Sequence, residues 1–406
     1  MSKAASAVPS QPVTGLILSG GGARAAYQVG VLSAIGDLLP DAAHNPFPVI
    51  VGTSAGAINA VGLACGALHF TEAIRSLARV WQGFHSHQVY RSDWSGVVRQ
   101  AGRFIGHSLL GMGKELPVAL LDNSPLRGLL ERELDLSGIG AALARRQLRA
   151  IAVTAFGYES GQAVTFYQGR TSIEPWARHR RVGVPTRLGF EHLLASSAMP
   201  LIFPPVRVNR EYFGDGAVRQ SAPISPALHL GATRVLVIGV SGNASGAAAD
   251  LAASRPQTGR PPSLAQISGH MLSSTFVDSL EGDIELLERI NRMNQLLPQA
   301  STQSVLGLRP VEVLVVSPSR PIEQIAARHR HELPVALRFF LRGAGATKSS
   351  GAGVLSYLLF EAGYCNELIE LGYQDAMSQK EALSQFLGLD GIQPAPARPE
   401  RLAAGG

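Results

Sequence analysis

The sequence predicts an α/β protein whose mostly parallel sheet is covered by helices on both faces, with a helical C-terminal extension. Three observations lead there. Short apolar runs end at glycines or small residues, as in "GLILS" (15–19) and "FPVIVG" (47–52). Each is followed at once by a helical pattern, "ARAAYQVGVLSAIGDLL" (23–39) and "SAGAINAVGLACGAL" (54–68). Further apolar runs recur at 147–156, 233–241 and 311–317. Strands that are apolar throughout belong to a sheet buried on both faces, and a strand–helix–strand succession makes such a sheet parallel.

The elements follow in order. Residues 1–13 read as a flexible tail, broken by Pro9 and Pro12. A catalytic-sized unit spans 14–242. Within it, 70–120 mixes aromatics, His and Gly without clear strands and reads as a helical insertion above the sheet. "DNSPLRGLLERELD" (122–135) restarts a helix, with Ser124 or Asn123 as N-cap and Pro125 in its first turn. "QLRAIAVTAF" (147–156) is a strand, and "QAVTFYQG" (162–169) its hairpin-like neighbour. "FEHLLASSAMP" (190–200) is a helix stopped by Pro200, and 201–218 a loop and short hairpin. Residues 243–263, rich in Gly, Ala, Ser and Pro, read as a linker. The C-terminal region, 264–392, carries Leu280, Ile284, Leu287 and Ile290 at helical spacing, one strand at 311–317, and helices at 333–343 and 366–389. Residues 393–406 are a second tail. No internal repeat is visible.

Composition narrows the class. The chain has 406 residues and 46% hydrophobic content, ample for a packed core. Its net charge of +6 rests almost wholly on Arg and suits an anionic surface, but no nucleic-acid fingerprint accompanies it, so no nucleic-acid partner is expected. Two cysteines, Cys65 and Cys365, form neither a disulfide framework nor a CxxC pair, and Cys65 reads as a buried thiol. No signal peptide and no run of membrane-spanning length appears, so the expectation is a cytoplasmic protein able to touch a membrane surface. In "LPVALRFFLRG", Leu333, Leu337, Phe340 and Leu341 with Arg338 and Arg342 could meet an anionic bilayer; a core helix is the favoured reading.

The chemistry concentrates in three places. Gly52-Thr53-Ser54-Ala55-Gly56 is a G-x-S-x-G between a strand and a helix. In such a turn Gly52 and Gly56 let the backbone crowd, Ser54 stands clear, and the new helix aims its N–H groups at any oxyanion formed there. A tight turn with an incidental serine is the plainer alternative. Gly20, Gly21 and Gly22, between the first strand and its helix, expose N–H groups that can fold round an anion. Gly20, Gly22 and Ala25 also match G-x-G-x-x-A, but the next strand ends in the serine turn rather than in a ribose-binding acid. An oxyanion hole beside Ser54 is therefore favoured over a dinucleotide site. Arg24 could hold this loop, meet a substrate phosphate or be a surface charge. For a base, no histidine is persuasive: His85 and His87 lie in the insertion, His192 in a helix, His329 and His331 in an arginine-rich stretch. Asp215, between Gly214 and Gly216, is the better candidate, because burial beside a serine would raise a carboxylate toward useful basicity.

Strand–Gly-Gly-Gly-x-Arg–helix, then Gly-Thr-Ser-Ala-Gly, then Asp-Gly-Ala closely resembles the patatin-like phospholipases. "DNSPLRGLL" (122–130) and "ASSAMPLIFPPV" (195–206) resemble further stretches of that family, so the likeness spans about 14–240. It implies a three-layer α/β/α sandwich and a Ser-Asp dyad hydrolase without histidine. Ser54 would be the nucleophile, Asp215 the base, and Gly20 to Gly22 with neighbouring N–H groups the oxyanion hole. The expected substrate is a lipid acyl ester, phospholipid or lysophospholipid, with no cofactor and no metal. Ala25 stands where the family usually has glycine, a departure that a helical φ would tolerate. Acyl transfer by the same dyad, and a non-catalytic lipid- or nucleotide-binding module, remain as alternatives.

Overall fold

A computed structural model of the chain describes residues 12–41, 43–91, 119–241, 279–296, 310–343 and 352–389. The expected tails except residues 12 and 13, the expected linker and most of the second half of the expected insertion lie outside the described residues. Ten strands form one sheet: β1 (Thr14–Leu18), β2 (Val49–Thr53), β3 (Ala150–Gly157), β4 (Ala163–Gly169), β5 (Trp176–Arg178), β6 (Arg181–Pro185), β7 (Val206–Val208), β8 (Glu211–Asp215), β9 (Arg234–Ile238) and β10 (Glu312–Val316). The order is β10-β9-β1-β2-β3-β4-β6-β5, and the first five of these run parallel. β4 is antiparallel to β3, as its hairpin-like sequence predicts.

Three of the described helices follow β1 and β2: α1 (Ala26–Leu38), entered through a 3-10 turn at Gly22–Ala25, then α2 (Ala55–Cys65) and α3 (Phe70–Gln82). α4 (Ser124–Glu133) and α5 (Ser137–Ala144) precede β3. α6 (Phe190–Ser196) and α7 (Ser225–His229) flank the β7–β8 hairpin. The C-terminal region adds α8 (Ser279–Leu296), α9 (Ile322–Arg328), α10 (Val335–Gly343), α11 (Ala352–Leu358), α12 (Ala362–Ser378) and α13 (Lys380–Leu387).

Alternation along the buried strands builds three layers. Leu16, Leu18, Ile50 and Val153 point into a core shared with α1, α2, α3 and α12. Ile17, Val51, Val235 and Val237 point the other way, against Ala227 of α7 and Leu280, Ile284 and Leu287 of α8. Side chains of successive strand residues face opposite sides, so a strand apolar at every position needs helices on both. The C-terminal region joins the same body: β10 pairs with β9 at the sheet edge, and α12 packs along α1.

One local expectation changes, at the helix end before Pro200, and one, the N-cap at 123, is met. The helix at 190–200 stops at Ser196, before Pro200, because Ala198 turns its carbonyl to accept the Asp215 N–H at 2.9 Å. At α4, Asn123 occupies the N-cap without a side-chain bond; Asp122 Oδ1 accepts the Ser124 N–H instead, at 2.9 Å. In α10, Leu333 just ahead of the helix and Leu337 are core, whereas Phe339 is 68% exposed. The side chains of Phe340, Leu341 and Arg342 lie outside the described set. No described helix is long and apolar enough to cross a membrane.

The α1–α12 contact is close because both helices carry a glycine at the crossing. A Cβ on Gly30 would collide with the backbone of Ile369 and Tyr373, and one on Gly372 with the Tyr27 carbonyl. Gly372→Val should therefore destabilise the chain by about 2–3 kcal/mol, read as a lower urea midpoint at unchanged m. An unmoved midpoint would show that the helices do not approach this closely.

Candidate active site

The serine turn is built by crowding. β2 ends at Thr53, α2 starts at Ala55, and Ser54 between them has φ 56° and ψ −132°. A non-glycine residue held there stores roughly 1–3 kcal/mol of strain, so its neighbours must over-determine it. They do. A Cβ on Gly52 would meet Gly56 O at 2.5 Å, and a Cβ on Gly56 would strike the carbonyls of Leu18 and Ser19. The Ser54 N–H donates to Ser196 Oγ at 2.8 Å, and Ser196 Oγ donates to Thr154 O at 2.7 Å. Ser196 lies in the "ASSAMP" stretch, where its family likeness was the signal and its role was invisible.

Asp215 arrives on the same strand by a different route. Thr53 is the last β2 residue paired to β3, opposite Thr154. β8 takes the vacated edge in antiparallel sense, with Asp215 opposite Ala155. Thr53, the residue before Ser54, and Asp215 thus pair with consecutive residues of β3, and Ser54 and Asp215, distant in sequence, come together at that end of the strand. Asp215 is fully buried. Its Oδ1 accepts the Ala217 N–H at 3.0 Å, while Oδ2 has no hydrogen-bond partner among the described residues. Burial pushes the carboxyl up to about 7, against the smaller opposing pulls of the Ser54 hydroxyl and the Ala217 N–H. The Ser54 hydroxyl lies close enough to the carboxyl to act on its pKa, without completing a hydrogen bond to it.

Among the described residues no histidine hydrogen-bonds either group. His192 is buried edge-on to Phe166 and accepts the Gly189 N–H, and burial lowers its pKa. His85 pairs with Glu361 and stacks on His87. His329 sits between Glu332 and Glu367, each at 2.7 Å, and its neighbour His331 hydrogen-bonds the Arg328 carbonyl.

The glycine loop lies next to the serine turn because β1 and β2 are adjacent and parallel. Gly22 takes φ 56°, a conformation that favours glycine. Among the described residues the N–H groups of Gly20, Gly21 and Gly22 donate to no protein acceptor. Ala25 has φ −65° and ψ −10°, so its methyl sits in ordinary helical geometry. Arg24 is not a surface charge: it is 1% exposed, and its Nε, Nη1 and Nη2 each donate to a protein partner.

A cavity of about 310 Å³ opens at Ser54 and Gly22 and runs between α2, α3 and α4. Ile58, Leu77, Leu126 and Leu130 line its apolar length, and Gly62 leaves room in its wall. Its polar residues include His69, Glu72 and Asp135. Cys65 also lines it, its thiol pushed up to about 12 mainly by burial. α3 falls in the stretch expected as a helical insertion and α4 in the helix expected at 122–135, but which part of either faces a void is set only by packing.

The patatin-like phospholipase family model matches residues 16–228. A cGAMP-activated phospholipase from Escherichia coli (strain TW11681) is 30% identical over 230 residues, covering 54% of this chain and 55% of that protein. The chain thus spans about half the length of this curated relative. Among solved structures, VipD from Legionella pneumophila aligns at 12% identity and TM-score 0.33 over 91% of this chain and 67% of its own. A chain from the complex of full-length SpcU with full-length ExoU of Pseudomonas aeruginosa aligns at 14% and 0.24, covering 96% and 82%.

The buried carboxyl makes a stability prediction. Between the ordinary value of 3.8 and about 7 the folded chain holds a proton that the unfolded chain has released. This group therefore lowers stability as pH rises through that window. Asp215→Asn should remove the loss, by up to a few kcal/mol, so the variant melts above wild type at pH 8 and the gap closes toward pH 4. Parallel melting curves across that range would contradict the raised pKa.

Proposed function

The chain belongs to the patatin-like phospholipase family, and from that premise we propose that it hydrolyses lipid acyl esters through Ser54 and Asp215. The observation that carries this reading is a fully buried carboxylate beside a serine held in a strained turn, with Thr53 and Asp215 paired to consecutive residues of β3. Pushed up to about 7 by burial, Asp215 is far more basic than an exposed aspartate.

The steps follow from the groups present. Asp215 takes the hydroxyl proton as Ser54 Oγ attacks the acyl carbonyl, and a tetrahedral oxyanion forms. The N–H groups of the Gly20–Gly22 loop and of the first turn of α2 stabilise it, each such donor contributing about 3 kcal/mol. As the intermediate collapses, the ester C–O bond breaks and Asp215 returns its proton to the leaving alcohol. Water then adds to the acyl-enzyme with Asp215 again as base, releasing the acid and regenerating Ser54. The apolar cavity between α2, α3 and α4 holds the acyl chain. The phospholipase name of the Escherichia coli relative favours a phospholipid or lysophospholipid among acyl esters. Acyl transfer would use the same steps with a second alcohol in place of water, and a competing alcohol in the assay distinguishes it by its product.

Ser54→Ala and Asp215→Asn should each reduce hydrolysis of a short p-nitrophenyl ester by at least about 10³-fold, with circular dichroism unchanged. Each single His→Ala variant should keep measurable activity. In wild type, kcat/KM should rise with pH to a plateau with its midpoint near 7, as the base loses its proton. Ordinary turnover in either dyad variant would refute the mechanism.

The cavity has its own test. A Cβ on Gly62 would already lie 2.8 Å from Leu77 Cδ2. Gly62→Leu should cost a dodecanoyl p-nitrophenyl ester at least about tenfold more in kcat/KM than a butyryl ester. Equal losses for the two chain lengths would place the acyl chain elsewhere.

A further inference from the structure

The glycine loop does not hold itself. Its free N–H groups leave it few internal bonds, and glycine-rich backbone has much freedom to lose. Its ends are tied from within the catalytic unit: Gln28 Nε2 donates to Ser19 O at 2.8 Å, and Asn59 Nδ2 to Ala25 O at 3.2 Å. Its middle is tied from the C-terminal region. Arg24, two residues past Gly22, donates from Nε to Ser356 Oγ at 2.8 Å and from Nη2 to Glu323 Oε1 at 2.7 Å. Nη1 donates to Ser241 Oγ at 3.3 Å, and the guanidinium carbon lies 4.1 Å from the centre of the Tyr357 ring. The Tyr357 carbonyl rests directly on the Cα of Gly22, where a Cβ would collide with it.

A planar guanidinium with donors on three sides and a ring on its face has one low-energy placement. Because the charge is buried, any other placement leaves it unpaired. We propose that Glu323, Ser356 and Tyr357 are positioning residues for the oxyanion-binding loop, acting through Arg24. On this view the residues after 310 complete the active site rather than accompany it, although the family match ends at 228. The inference rests on the proposed reading of the glycine loop as the oxyanion hole, and the controls below separate the two.

The test uses the full chain and p-nitrophenyl butyrate, well below the melting temperature of every variant. A displaced oxyanion donor weakens the transition state more than substrate binding, so the loss should appear in kcat. Glu323→Ala should lower kcat by about 10- to 100-fold and Ser356→Ala by about 3- to 10-fold, with KM within about twofold. Glu323→Gln, which keeps an acceptor oxygen, should recover much of the loss. In an Arg24→Met background, Glu323→Ala should change kcat by no more than about twofold, because the link it breaks is already gone.

Lower melting temperatures with kcat at the wild-type level in both Glu323→Ala and Ser356→Ala would overturn the proposal, leaving only a stability role. Should Glu323→Ala not fold, the milder Ser356→Ala decides alone. Ser54→Ala runs in parallel. If it is inactive while the positioning variants turn over normally, only the positioning claim fails. If it is active, the dyad reading fails and this inference with it.

Discussion

The Thr154 carbonyl, near the C-terminal end of β3, is the point on which the site is registered. It accepts the Ser196 hydroxyl, which in turn accepts the N–H of Ser54. It also lies against the Cα of Gly216, where no side chain could fit. One residue further along, Ala155 pairs with Asp215. A single strand therefore measures out both the serine and the carboxylate. Strand rise and inter-strand spacing are nearly invariant, so the separation of the two groups is as rigid as the sheet.

Three unfavourable features depend on that rigidity: a serine in a left-handed conformation, a carboxylate without solvent, and an arginine without solvent. Each would relax in an isolated loop. Here each is enclosed by elements that bury apolar surface on both sides of the sheet, and the burial offsets the local costs. The strain at Ser54 keeps the hydroxyl clear of the turn. The missing solvent around Asp215 brings its pKa close to neutrality. The missing solvent around Arg24 makes its partners obligatory.

The C-terminal region packs directly on the elements that carry the sequence motifs. α12 is interlocked with α1 through Gly30 and Gly372, and Tyr27 donates to Asp375 at 3.0 Å from the middle of that contact. α1 begins where the glycine loop ends. The loop thus lies against helices more than 300 residues later in the chain.

Much was legible in the residues themselves. Apolar runs followed by helical patterns revealed β1, β2, β3, β9 and β10, because a strand buried on both faces has a composition that local pattern alone discloses. The serine turn and the glycine loop were visible for the same reason: small residues at fixed spacing are demanded by local backbone crowding. Asp215 was legible as the candidate base, but the register that buries it was not, and nothing in the sequence singled out Ser196, Glu323 or the cavity beside Gly62. What the sequence by itself determined is every feature that depends on neighbours within a few residues: strand, turn, helix start and the residue types at each. What only the tertiary structure decided is which of these meet, which charge is buried and where the packing leaves a void. Those depend on register and on contacts across the sheet, where residues far apart in the chain share one small volume.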